Sequence, residues 1–162
     1  MAQILMIATW HYDSPLGGIT LAGDGDALTG LWIDGQTHFA STLGAQSEER
    51  WLPVFDDACR WLDVYFSGRI PDFTPKLNLR GTPFQLTVWQ ALLAIPYGET
   101  ISYGELAGRV SCASARAVGG AVGRNPVSLI VPCHRVIGAG GALTGYAGGL
   151  ELKKRLLQWE KR

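Results

Sequence analysis

Apolar and polar positions change period along this chain, and the changes divide it. Ile4–Tyr12, Ile19–Ala22 and Leu28–Ile33 are β-branched or aromatic stretches, and Ser14-Pro15, Gly17-Gly18 and Asp24-Gly25-Asp26 separate them. Short runs of this kind between turn formers predict strands. Asp24-Gly25-Asp26 suits a hairpin, because Gly and Asp tolerate positive φ. Leu52, Phe55, Cys59, Leu62 and Phe66 then recur at helical spacing, predicting a helix over about Glu48–Phe66 that Ser67-Gly68 stops. Residues 71–80, rich in Pro with alternating Leu77 and Leu79, read as a linking strand.

From Gly81 the texture is helical. Thr82-Pro83-Phe84-Gln85 has the form of a capping box with Pro at the first helical position. The helix it opens ends at Ile95-Pro96-Tyr97-Gly98. Ser102-Tyr103-Gly104-Glu105 predicts a second box and a short helix through Val110, and Ser111-Cys112-Ala113-Ser114 leads into another over Ala115–Val122. Two short helices across a tight polar turn predict a helix-turn-helix. Its second helix contains Gly119-Gly120, and each glycine costs roughly 1 kcal/mol relative to Ala. Close approach to another backbone, with Arg116 projecting from a nearly bare face, would offset that cost; tight helix packing would also do so. After the Asn125-Pro126 turn, Val127–Val131 is an apolar run that predicts a buried extended segment. A last helix is predicted over Leu150–Trp159, with Leu152, Leu156 and Trp159 suited to docking.

The expected fold is thus mixed α/β (α+β): a sheet-and-helix domain over residues 1–78, then a mostly helical domain over 79–162. The chain has 162 residues, 47% hydrophobic and 17% charged, an ordinary globular balance. Its net charge of zero hides an asymmetry: residues 1–80 carry five Lys/Arg against ten Asp/Glu, and residues 81–162 carry nine against four. A basic second half is consistent with a polyanionic partner. No apolar run reaches the ~18 residues of a membrane span. The apolar start, Met1–Trp10, lacks a basic n-region and reads as a strand, so a cytoplasmic protein without a membrane partner is expected.

Three cysteines, Cys59, Cys112 and Cys133, with no C-x-x-C pair, argue against a disulfide framework. Cys59 lies on the apolar helical stripe and reads as a core thiol. His11, His38 and His134 are the only histidines. None has metal-ligand spacing, so neither a metal nor a cofactor is expected. Cys133 follows the apolar run and Pro132, and His134 follows it directly. A nucleophilic cysteine needs its thiol, ordinarily near pKa 8.5, converted to thiolate, and a histidine can serve as the base. On composition alone a structural cysteine beside a histidine is the commoner arrangement.

Several blocks together carry a resemblance. Pro132-Cys133-His134-Arg135-Val136, Arg116-Ala117-Val118-Gly119-Gly120-Ala121, Asn125-Pro126, Ile95–Thr100, Ser102-Tyr103-Gly104 and Gly145–Leu150 are similar to the O6-alkylguanine-DNA alkyltransferase family, in order, over residues 79–160. The resemblance implies a ribonuclease-H-like first domain and a winged helix-turn-helix second domain. It implies DNA repair by single-turnover transfer of an alkyl group, methyl above all, from O6-alkylguanine to Cys133, with O4-alkylthymine as an alternative lesion. Cys133, His134 and Glu160 would form the activating relay, Tyr103 would assist the leaving guanine, and Asn125 would pin the turn before the cysteine. Arg116, Ala117, Gly119, Gly120 and Ala121 would meet DNA, and Val136, Tyr146, Ala147 and Gly148 would line the base pocket. The partner would be double-stranded DNA, entered through the minor groove by a monomer with the lesion flipped out. Ala147 stands where many relatives carry Ser, and Val122 where the helix is often bulkier, which bears on adduct size. A helix-turn-helix regulator with a structural Cys133, and a cysteine hydrolase, are the competing expectations.

Overall fold

The computed structural model describes residues 6–35, 47–143, 146 and 149–161. The first strands form an antiparallel meander: β1 (Ile7–Ser14), β2 (Gly17–Gly23) and β3 (Leu28–Ile33), with Asp24 accepting from the N–H groups of Asp26 and Ala27 to close the second turn. A short β4 (Ser47–Glu49) adds to β1 in parallel, giving the order β3-β2-β1-β4. Helix α1 (Pro53–Phe66) packs across this sheet through Phe55, Ala58 and Leu62. Fully burying a side chain such as Phe55 is worth about 1.5–3 kcal/mol.

Glu48–Leu52 is therefore not helical, as its pattern had suggested. Pro53 is the reason: its ring disfavours helical geometry at the residue before it, and Leu52 is extended at φ −124°, ψ 150°. The linking segment is likewise no regular strand; it makes one bridge, Leu77 against Leu28. Gly30 is needed where it stands, since a Cβ there would lie 2.1 Å from the buried Trp32 ring.

The second half is helical. Thr82 and Gln85 form the full reciprocal box at the start of α2 (Pro83–Leu93). Strand β5 (Ile101–Ser102) precedes α3 (Tyr103–Arg109), where the predicted box is only half formed: Ser102 Oγ accepts from Glu105 N–H, while the Glu105 carboxylate faces Arg109. Helix α4 (Ala115–Gly123) follows, capped by Ser114. β6 (Val136–Ile137) pairs with β5 in parallel, and α5 (Leu150–Glu160) closes the chain. Among the described residues, no helix is long and apolar enough to cross a membrane.

Backbone contacts join the halves at the sheet edge. Leu31 N–H donates to Pro126 C=O at 2.8 Å, and Ser128 N–H donates to Leu31 C=O at 2.9 Å. The outer edge of the sheet thus holds the segment that leads to Cys133, satisfying an edge that would otherwise stay open.

Candidate functional site

Val127–Val131 is buried, yet it is not extended. Its backbone folds into two three-residue turns. Ile130 N–H donates to Ser128 C=O at 2.9 Å around Leu129, whose φ is +72°. Cys133 N–H donates to Val131 C=O at 2.8 Å around Pro132, at φ −83° and ψ 67°. The second is the relaxed inverse γ-turn; the first, with positive φ on a branched residue, is strained. Apolar periodicity reports burial and could not distinguish a folded ribbon from a strand. Asn125 holds the ribbon together: its Nδ2 donates to Val131 C=O at 2.8 Å, and its Oδ1 accepts from Val127 N–H at 3.0 Å.

The chain then turns once as a 3₁₀ segment, Cys133–Arg135. Cys133 is 4% exposed and His134 fully enclosed. His134 Nε2 lies 2.5 Å from Glu160 Oε2 on the last turn of α5. Arg135 Nε donates to Glu160 Oε1 at 2.7 Å, and its Nη2 donates to Oε2 at 3.2 Å. Nη1 donates to Ile95 C=O at 2.8 Å, and the guanidinium rests over the Tyr97 ring. Gly98 N–H reaches Oε1 at 3.3 Å, with Gly98 at φ +80°. Tyr65, from α1, donates its hydroxyl to Oε2 at 2.7 Å. One carboxylate thus gathers four residues from three places in the chain.

Burial acts to raise the Glu160 carboxyl, but the His134 and Arg135 hydrogen bonds and charges outweigh it and hold the group down at about 2. The guanidinium is permanently charged, so this side of the balance persists whatever His134 does. Burial lowers the His134 imidazole; Glu160 pulls it up, and the charges of Arg135 and Lys153 push it down again. Burial also raises the Cys133 thiol, partly offset by the Asn125 hydrogen bond and the Lys153 charge. The resting state is a thiol beside a neutral imidazole, an ionised carboxylate and a guanidinium. His134 Nδ1 has no hydrogen-bond partner among the described residues, nor has the buried hydroxyl of Tyr146. Burial, then the charges of Cys133 and Glu160, raise the Tyr146 phenol.

Lys153 was not anticipated, nor were Tyr65, Arg135 and Gly98 as partners of Glu160. Lys153 is fully enclosed, with Nζ 5.7 Å from the centre of the Tyr103 ring. Burial lowers its ammonium and the Cys133 sulfur raises it. A signal existed: Lys153, Leu156 and Glu160 are spaced i, i+3 and i+7 on α5, so two charged residues share the apolar stripe. Polar residues at such positions are buried with a purpose or not at all.

Of the other predicted residues, Tyr103 opens α3 half-buried, and Val136 is buried in β6 beside the 3₁₀ turn. Arg116, Ala117 and Gly120 are exposed on α4, and Gly119 lies half-buried against Tyr103. Added Cβ atoms would meet ordinary contact at Gly119 and open space at Gly120, so helix packing alone does not require the pair. Ala121 departs from this set. It is 4% exposed and its carbonyl accepts from Trp89 Nε1 at 2.9 Å, because it falls on the face of α4 turned to α2. Ala147 and Gly148 lie outside the described residues. Among the described residues, no cluster of His, Cys, Asp or Glu has the form of a metal site.

The chemistry of this site can be set beside known proteins. Residues 83–162 match the family model described as 6-O-methylguanine DNA methyltransferase, DNA binding domain. Residues 9–79 match that of its ribonuclease-like domain. A methylated-DNA–protein-cysteine methyltransferase of Mycobacterium leprae is 52% identical over 160 residues, covering 96% of this chain and 93% of the relative. A protein of the same name from Methanosarcina acetivorans is 47% identical over 152 residues, covering 92% and 95%. The crystal structure of Mycobacterium tuberculosis OGT in complex with DNA superposes with a TM-score of 0.86 at 48% identity, covering 95% of this chain and 92% of that one. With both halves matched and identity near one half across almost its whole length, the chain belongs to the 6-O-methylguanine DNA methyltransferase family.

Proposed function

We propose that this protein repairs DNA by accepting the alkyl group of O6-alkylguanine onto Cys133 in one irreversible step. The observation that carries the reading is the enclosed sequence of groups from Cys133 through His134 to Glu160, backed by the Arg135 charge. His134, neutral at rest, takes the Cys133 proton from its Nδ1 side through a bridging water, while Nε2–H stays on the Glu160 carboxylate. The resulting thiolate attacks the alkyl carbon in line. An S–C bond forms, the C–O6 bond breaks, and its electron pair leaves with guanine, which takes up a proton. Tyr103 assists that protonation, and the Lys153 ammonium stabilises the sulfur anion. The product thioether has no hydrolytic exit at neutral pH, so each molecule acts once.

A base inside a duplex cannot reach an enclosed sulfur, so the lesion is flipped out. The exposed face of α4 supports this step. Ala117, Gly119 and Gly120 leave room for a sugar-phosphate wall in the minor groove, and Arg116 extends from the same helix to fill the emptied stack. Residues 1–78 and 79–162 act as two domains of one monomer, the second carrying DNA and alkyl acceptor. Asn125 keeps the ribbon before Cys133 in register, and Val136 and Tyr146 line the pocket for the base.

Incubation with duplex DNA containing O6-methylguanine, followed by peptide mass analysis, tests the reading. One methyl per protein on the Cys133 peptide is expected, and none in Cys133→Ser. DNA binding without any methyl gain would favour a regulator instead.

A further inference from the structure

The half of the chain without a reactive group nevertheless reaches the relay. Tyr65 lies on α1, and its hydroxyl donates to Glu160 Oε2, the oxygen that also meets His134 Nε2. The ring is held without that bond: it stacks on Trp61 at 5.2 Å, meets Phe66 and Tyr97 edge-on, and its backbone carbonyl accepts from Trp159 Nε1 at 3.0 Å. The hydroxyl is therefore surplus to packing and directed at one oxygen.

We propose that Tyr65 is a positioning residue for alkyl transfer, its hydroxyl fixing Glu160 Oε2 so that the oxygen stays aimed at His134 Nε2. The inference rests on the function proposed above. Arg135 and Gly98 both draw Glu160 toward Oε1, since the shorter guanidinium contact and the Gly98 N–H fall there. Tyr65 opposes them from the other side. Without its hydroxyl, a bare ring edge faces a buried carboxylate oxygen that has lost a donor, and the carboxylate shifts toward Arg135. The His134 contact lengthens and the imidazolium formed during proton transfer is less well supported. The titratable and charged groups around this carboxylate are His134, Arg135 and Tyr65, with Tyr97 packed against the last two, and, farther off, Tyr146; Lys153 acts on His134. The Tyr65 phenol is raised by burial and by the Glu160 charge, so it remains a donor throughout the working range.

The test compares Tyr65→Phe with the unaltered full-length protein, measuring the second-order rate of methyl uptake from O6-methylguanine duplex between pH 6 and 9. Trp61→Phe is the control: it disturbs the same aromatic stack and leaves the hydroxyl. Expected for Tyr65→Phe is a rate lower by about fivefold, the equivalent of about 1 kcal/mol for one hydrogen bond. The midpoint of the acid limb of its pH–rate curve, set by protonation of His134, should fall by about half a unit, with DNA affinity unchanged. Trp61→Phe should keep the normal midpoint even if it melts earlier. An unchanged or faster rate in Tyr65→Phe, or an equal midpoint shift in Trp61→Phe, overturns the positioning role alone. Absence of methyl uptake by the unaltered protein overturns the proposed function first, and this inference with it.

Discussion

The Arg135 guanidinium and the Glu160 carboxylate face each other as two forks. Nε meets Oε1 at 2.7 Å and Nη2 meets Oε2 at 3.2 Å, and both residues are largely buried. Arg135 immediately follows the Cys-His pair, and Glu160 ends the last helix, so the pair ties that helix to the reactive turn. Lysine cannot reproduce the planar two-point contact. Arg135→Ala should destabilise the protein by about 3–5 kcal/mol, the usual cost of stranding one buried ion. Arg135→Lys should cost less but leave the Ile95 carbonyl or one carboxylate oxygen short of a donor. Urea denaturation of the two variants checks the order.

Acid should unfold this protein through the same site. The Glu160 carboxyl sits at about 2 in the folded state against an ordinary 4.5, so its ionised form stabilises the fold. That contribution, about 3 kcal/mol at most, is complete above pH 4.5 and is lost as the pH falls from about 4.5 toward 2. His134 is lowered from its ordinary 6.5 by burial. It favours the fold when neutral, and its contribution declines as the pH drops below 6.5. Both groups therefore make stability rise with pH from the acid side up to neutrality. Denaturant midpoints at pH 4, 5.5 and 7.5 should increase in that order. Equal midpoints at the three values would contradict the assignment of these two groups.

Asn125 bridges the ribbon that contains the strained Leu129. Asn125→Ala leaves Val131 C=O and Val127 N–H without that bridge in a buried setting, a loss of about 2–4 kcal/mol. Cys133 lies two residues beyond Val131, so its aim should suffer with the ribbon, and methyl uptake should fall more than about tenfold. Asn125→Asp keeps the acceptor for Val127 and loses the donor to Val131. It should fall between Asn125→Ala and the unaltered chain in both melting temperature and rate.

Lys153→Met tests the buried ammonium. The variant keeps an unbranched stem and removes a charge whose burial is unfavourable together with its contact over the Tyr103 ring, so the two effects oppose and stability should change little. The Cys133 thiolate loses a favourable charge, and methyl uptake at neutral pH should drop by about tenfold, recovering in part at alkaline pH. A stability loss with unaltered kinetics would assign Lys153 to packing instead.

Arg116→Ala should separate duplex from single-stranded substrate. If the side chain fills the stack after flipping, repair of a duplex lesion should slow by about tenfold, and repair of the same lesion in a single strand should change little. Parallel rate measurements on the two substrates decide it; equal slowing would point to a plain phosphate contact.

Local chemistry was readable without coordinates. Thr82 and Gln85 specified the start of α2, because a capping box involves neighbours only. The helix-turn-helix also followed from local caps and turn residues. Misreadings arose where one local rule competed with another: periodicity extended α1 back to Glu48, while Pro53 ended it at its own position. The apolar Val127–Val131 run recorded burial faithfully, but Leu129 at φ +72° is held by Asn125 and by the edge of β3, which run composition cannot encode.

The amino-acid sequence by itself determined the family, through residue types in ordered blocks, and nominated Cys133 and His134 within one of those blocks and Glu160 through the resemblance alone. Only the tertiary structure decided what surrounds Glu160. Tyr65, Gly98, His134 and Arg135 converge on it across separations of up to 95 residues. It likewise turned Ala121 inward and enclosed Lys153 with its ammonium over the Tyr103 ring. The physical reason is that propensity and capping act over a few residues. Desolvation and hydrogen-bond sharing at a buried carboxylate depend on which distant elements pack against it.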